Sequence, residues 1–133
     1  MPLDFDTALG IHPQALKLRS QRSALLAANL ANADTPNYKA KDIDFKAALK
    51  QATGSTQMLR MKTTHSQHIE MSGGGFNPTI KYRQPEAASL DGNTVDSQVE
   101  KAAFTQNAID YQATLRFING KFSGLLTALK GQS

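Results

Sequence analysis

The sequence predicts a mainly α-helical subunit. Long N- and C-terminal helices pair as a coiled-coil-like core, and a short irregular, β-containing middle segment joins them. Three observations lead there. Apolar residues gather in the two end segments, whereas the middle is rich in Gly, Ser, Thr and Gln. Both end segments repeat apolar residues at helical spacing. The length of 133 residues suits one domain better than two. Residues 1–133 are therefore read as a single subunit with three parts: about 12–32, 38–93 and 95–130.

The first helix is expected from about His12 to Asn32. Pro13 suits a first helical turn, where its missing N–H leaves no bond unmade. Residues 14–30 contain neither Gly nor Pro and are rich in good helix formers. Ile11, Ala15, Leu18, Leu25 and Leu26 give an apolar face, which Leu16 and Leu30 widen. Asp34-Thr-Pro-Asn37 ends the helix, because Pro36 drives Thr35 out of the helical region.

The middle segment opens with Lys39–Phe45, whose alternation reads as extended chain. A short helix from about Asp44 to Ala52 follows, stopped by Gly54-Ser-Thr-Gln57. Met58–Thr64 and Thr79–Arg83 are strand candidates, separated by the turn signals Gly73-Gly-Gly75 and Asn77-Pro78. This segment has too few apolar residues to build a substantial core alone.

The C-terminal helix is expected from about Val95 to Lys130. Asp91-Gly92 marks the preceding turn, and Asn93 reads as its cap, with Asp96 three residues on as a short-armed capping box. Phe104, Tyr111, Ile118 and Leu125 recur every seven residues, and so do Ala108, Leu115, Phe122 and Leu129, offset by four. Together they make an alternating 4-3 seam, the spacing of a coiled coil. Gly120 and Gly124 weaken this helix by roughly 1 kcal/mol each relative to Ala. They either admit a neighbouring backbone or loosen the helix end. Gly131 supplies a stop. At 1.5 Å per residue the two helices would be about 30 Å and about 50 Å long. The shorter cannot cover the longer, and an apolar stripe left over asks for a neighbouring chain.

Chemistry is sparse by comparison. The chain has no cysteine, which removes disulfides, thiolate nucleophiles and thiol-based metal sites. His65 and His68, with Glu70 nearby, have ligand residue types but no third ligand at a suitable spacing. Gly73–Gly75 is too short for a phosphate loop and lacks the following Lys-Ser/Thr. Asp4, Asp6, Asp42 and Asp44 form close carboxylate pairs without a visible cleft. No enzyme, cofactor or metal is expected. The net charge of +4 leaves open a basic helical binder of nucleic acid or anionic surfaces as an alternative function. The cations are scattered and interrupted by acids, however, so no nucleic-acid partner is expected. No stretch approaches the ~20 apolar residues that span a bilayer. Met1–Asp6 carries no signal-peptide pattern, so the expectation is a cytoplasmic chain or one exported without a cleaved signal.

One segment is distinctive. Ala28-Asn-Leu-Ala-Asn-Ala-Asp-Thr-Pro-Asn-Tyr-Lys39 resembles the N-terminal signature of the flagellar rod and hook proteins, carried by Asn29, Leu30, Asn32, Thr35, Pro36, Tyr38 and Lys39. Ile43-Asp-Phe45 and Asp91-Gly-Asn-Thr-Val-Asp96 resemble the proximal rod subunits within that family. The resemblance covers roughly residues 10–50 and 88–130. It implies a structural subunit of a tubular periplasmic rod that surrounds an export channel and transmits torque. It also implies export without a cleaved signal, and as partners further copies of the chain itself, FlgC, FliE and the flagellar export gate. Asn29 and Asn32 share a helix face. Their amides would cap backbone or lock register; the plain alternative is a helix end where Asn is merely tolerated.

Overall fold

A computed structural model describes residues 8–54, 78–85 and 89–131. Its elements are α1 (His12–Ala31), β1 (Lys41–Ile43), α2 (Phe45–Gly54), β2 (Ile80–Tyr82) and α3 (Ser97–Lys130). The strand candidate Met58–Thr64, the His65–Glu70 cluster and Gly73–Gly75 lie outside the described residues.

α1 starts with Pro13 in its first turn and ends where the Asn32 N–H reaches the carbonyls of Ala28 and Asn29. Ala15, Leu18 and Leu26 are buried, while Ile11, just before the helix, is exposed. β1 and β2 pair antiparallel in the register Lys41↔Tyr82, Asp42↔Lys81, Ile43↔Ile80. They realise the extended Lys39–Phe45 segment and the Thr79–Arg83 candidate. Asp44 opens α2 by accepting the Ala47 N–H at 3.1 Å. The apolar core forms where these pieces meet α1. Leu18, Ile43 and Ala48 are buried together, with Leu25, Phe45 and Leu49 packed against them. The middle segment thus contributes to α1's core instead of building its own. The Arg19 guanidinium covers the Phe45 ring at 4.4 Å, adding a cation–π contact to this packing.

α3 begins two residues later than expected. Its cap is Asp96, whose carboxylate accepts the N–H groups of Gln98 (2.9 Å) and Val99 (3.3 Å). A carboxylate there satisfies orphan donors and complements the helix dipole together. Asn93 is committed elsewhere, as described below. The helix stops at Gly131, which adopts the left-handed conformation with φ 63°.

α1 and α3 run antiparallel. Asn29 meets Glu100, Ser23 meets Asn107, Arg19 meets Asp110, and the rings of His12 and Phe117 stack with centroids 5.6 Å apart. Residues 118–130 therefore run past the start of α1, about 20 Å of helix. Within the chain, α3 does not pack through its apolar seam. Its buried residues are Glu100, Asn107 and Thr114. Among the seam residues, Phe104, Ala108, Leu115, Phe122 and Leu129 are exposed, and Tyr111, Ile118 and Leu125 are half-buried. The physical reason is that α1 offers polar partners to the neighbouring stripe.

Candidate functional site

The signature segment folds into a polar knot at the end of α1. Asn29 is fully buried. Its amide nitrogen donates to the Lys41 carbonyl (2.8 Å) and to Glu100 Oε2 (3.1 Å). Its amide oxygen accepts from the Lys41 N–H (3.0 Å) and the Tyr38 hydroxyl (3.4 Å). This side chain thereby serves Lys41 as a neighbouring strand would, bonding both its N–H and its C=O. Both amide protons and both lone pairs of the oxygen are thereby engaged, which is what burial of an amide demands.

Asn32 closes the helix end, donating from its amide to the Ala28 carbonyl at 2.8 Å and accepting from Thr35 Oγ1 at 3.2 Å. The carbonyls beyond it are gathered by Asn93. One buried amide nitrogen donates to the carbonyls of Asn32 (3.0 Å), Ala33 (2.7 Å) and Thr35 (3.0 Å). These carbonyls belong to the turn just beyond α1 and lie outside its helical ladder. Asn37 stands at φ 61° and Gly92 at φ 73°, close together. The Asn37 N–H donates to the Asp91 carbonyl at 2.9 Å. A Cβ on Gly92 would come within 2.6 Å of Asn37 Oδ1, so glycine is required there by both conformation and space. Lys39 Nζ donates to the Gly92 carbonyl at 2.6 Å, and the Thr94 N–H donates to the Tyr38 carbonyl at 3.0 Å. The turn after α1 and the lead-in to α3 are thus one unit.

An ion network extends the knot. Arg22 holds Asp42 with two bonds, Nε to Oδ1 at 2.8 Å and Nη2 to Oδ2 at 2.9 Å. Arg83, next to β2, bridges Asp42 and Glu100. Glu100 then returns to Asn29. Burial pushes the Asp42 carboxyl up, but the hydrogen bonds from Arg22, Arg83 and the Ile43 N–H outweigh it and hold the group below its ordinary pKa. Its hydrogen bond to Asp42 raises the Arg22 guanidinium against the opposing effect of burial. α1, β1, the β2 end and α3 share this chain of charge-assisted bonds.

These contacts assign work to Asp42 and Asp44 of the acidic residues read in the sequence; Asp4 and Asp6 lie outside the described residues. Asp42 is saturated by arginines, while Asp44 caps α2 and meets Lys81 at 3.2 Å. They face different partners and form no acid–base couple. Among the described residues, no group of three His, Asp or Glu side chains is placed to hold a metal. No helix among them is long and apolar enough to cross a membrane.

The signature residues Asn29, Asn32, Tyr38 and Lys39 are brought together here. Thr35 and Pro36 form the exposed turn, and Leu30 is half-buried. Arg22, Arg83, Glu100 and Asn107 were not singled out from the sequence, and Asn93 was read there only as a helix cap. A signal for two of them was present: Glu100, Asn107 and Thr114 are themselves spaced by seven, a polar repeat beside the apolar one.

Comparison with known proteins bears on this same segment. Residues 9–39 match the family described as "Flagella basal body rod protein". The chain is 45% identical to the flagellar basal body rod protein FlgB of Cereibacter sphaeroides over 128 residues, covering 96% of this chain and 98% of that one. It is 45% identical to FlgB of Aeromonas hydrophila over 133 residues, with 99% of each covered. To FlgB of Escherichia coli it is 41% identical over 131 residues, with 94% of each covered.

Proposed function

The chain belongs to the FlgB family of flagellar basal body rod proteins, and from that premise we propose that the knot sets the angle of a helix pair whose outward apolar seam packs against neighbouring rod subunits. The chain is a structural component of the rod and not an enzyme. The observation that carries the packing reading is the seam from Phe104 to Leu129. It is only partly covered within the chain, with Phe104, Leu115 and Phe122 37% to 39% exposed and Leu129 84%, and it continues past the start of α1. Roughly 25 cal/mol is gained per Å² of apolar surface withdrawn from water, so a stripe about 38 Å long is a strong drive to associate.

The finer placement is part of the proposal. The subunit takes a proximal position in the rod, in the periplasm, around the export channel, and helps to transmit torque. Its partners are further copies of itself, FlgC, FliE and the export gate, and it leaves the cell without a cleaved signal. The lead-in Asp91–Asp96 supports the proximal reading, and its residues tie to the signature turn through Asp91, Gly92, Asn93 and Thr94. The alternative of a basic binder of nucleic acid finds no support. The relatives are rod proteins, and Arg19, Arg22, Lys81 and Arg83 are engaged in ion pairs.

The test is the double substitution Leu115→Asp and Phe122→Asp. Both side chains are exposed, so helicity of the isolated chain should be retained while incorporation into the rod and swimming are lost. Normal incorporation would overturn the seam's role.

A further inference from the structure

α1 faces a choice between two stripes of α3. The near row of the apolar seam, Phe104, Tyr111, Ile118 and Leu125, lies about 50° around the helix from the stripe Glu100, Asn107 and Thr114, and the far row, Ala108, Leu115, Phe122 and Leu129, about 100°, at about 100° per residue. Burial of apolar surface alone would favour turning the seam inward. The structure buries the polar stripe instead. Two of its members bond across to α1. Glu100 accepts from Asn29, and it also receives Arg83. The Asn107 amide nitrogen donates to the Arg19 carbonyl at 2.9 Å and to Ser23 Oγ at 2.7 Å. Thr114 bonds only within α3, to the Asp110 carbonyl at 2.9 Å. Asn107 is completely buried, yet its amide oxygen has no hydrogen-bond partner. A side chain so placed is a poor contributor to stability. It is an effective selector of alignment, as a single buried Asn is in a two-helix seam.

The geometry points to Glu100 and Asn107 as rotational pins that fix α3 about its own axis, keeping the apolar seam turned away from α1 and open to neighbouring subunits. The pins concern the isolated chain; their consequence for assembly rests on the seam reading above. Without them the seam rolls onto α1. The subunit then satisfies its own apolar surface and competes with its neighbours for it.

The chain has no native cysteine, so single introduced thiols report the roll directly. Thr114→Cys marks the stripe facing α1, and Leu115→Cys marks the seam. With the pins present, maleimide should label Leu115→Cys at least about tenfold faster than Thr114→Cys, since one position is exposed and the other buried. In the Glu100→Ala/Asn107→Ala background the order should invert, with helicity retained by circular dichroism. An unchanged order would overturn the proposal. Equal fast labelling at both positions would overturn it too, since it means that α3 detaches without rolling. If the double variant loses its helicity, Asn107→Ala alone decides the matter: the ratio of the two rates should fall at least about threefold, and no change refutes the pin. All readouts use the isolated chain, so a failure of the seam to serve assembly would leave these rates untouched.

Discussion

The two ends of the helix pair are built on opposite terms. At the end where α1 stops and α3 begins, half-buried and buried polar groups are linked from Arg22 through Asp42, Arg83 and Glu100 to Asn29, and Asn93 ties up the carbonyls of the turn. At the other end α3 outruns α1. Leu126 and Leu129 stand 55% and 84% exposed with little of the chain over them. The contrast separates two tasks. The knot needs only this chain and fixes a geometry. The overhang contributes little to the isolated fold and acquires its meaning from what packs on it. Substitutions should sort accordingly: those in the knot act on stability, those on the overhang act on assembly.

The largest expected effect is Arg83→Met. It strips a cation from Glu100, which is 1% exposed, and from Asp42. Removing one member of a buried ion pair strands the other. A loss of about 2–3 kcal/mol in chemical denaturation is expected, the pair being partly open on the arginine side. A loss under about 0.5 kcal/mol would mean that the knot is ornamental and that the contrast fails.

Acid gives an intermediate effect. The Asp42 carboxyl titrates lower in the folded chain than its usual value. Its contribution is therefore complete above about pH 4 and is lost as pH falls through the depressed folded value. Asp44 and Asp91 are also held low, by the Ala47 N–H and the Ser89 hydroxyl first among their causes. Thermal unfolding followed from about pH 6 to about pH 2.5 should show a falling midpoint, and Asp42→Asn should make that slope shallower without abolishing it. An unchanged slope would remove Asp42 from the account.

The smallest effect on stability is expected at the overhang. Leu126→Ser and Leu129→Ser should each shift unfolding by less than about 0.5 kcal/mol. Incorporation into the rod should nevertheless drop. A large stability change would show that the overhang serves the single chain after all.

Much of this architecture was legible in the sequence, for identifiable reasons. Helix spacing, Pro13, the Thr35-Pro36 turn and Gly131 act within a few residues of themselves, so α1, β1, α2, β2 and α3 could be located. The signature from Asn29 to Lys39 marked the knot. Its closing half was not legible, because Asn29 meets Glu100 across 71 positions and Arg83 meets Asp42 across 41. A charged residue on a helix reads as solvated unless its partner is known. The cap of α3 was misassigned for the same reason: Asn93 has the right chemistry for a cap but is taken by carbonyls 58 to 61 positions upstream. The apolar seam was identifiable as a pattern, but which stripe faces α1 depended on partners that α1 supplies.

That reach of Asn93 also orders events in time. The carbonyls of the turn just beyond α1 are bonded by a residue made some sixty positions later, and Asn29 within the helix waits still longer for Glu100. A chain elongating from its N-terminus therefore carries an unfinished turn at the end of its first helix through most of its synthesis. Closing so long a loop adds an entropic barrier that local contacts do not offset. Folding of this subunit is accordingly gated by its C-terminal half, and a fragment ending before Asn93 should hold α1 only as a fraying, marginal helix.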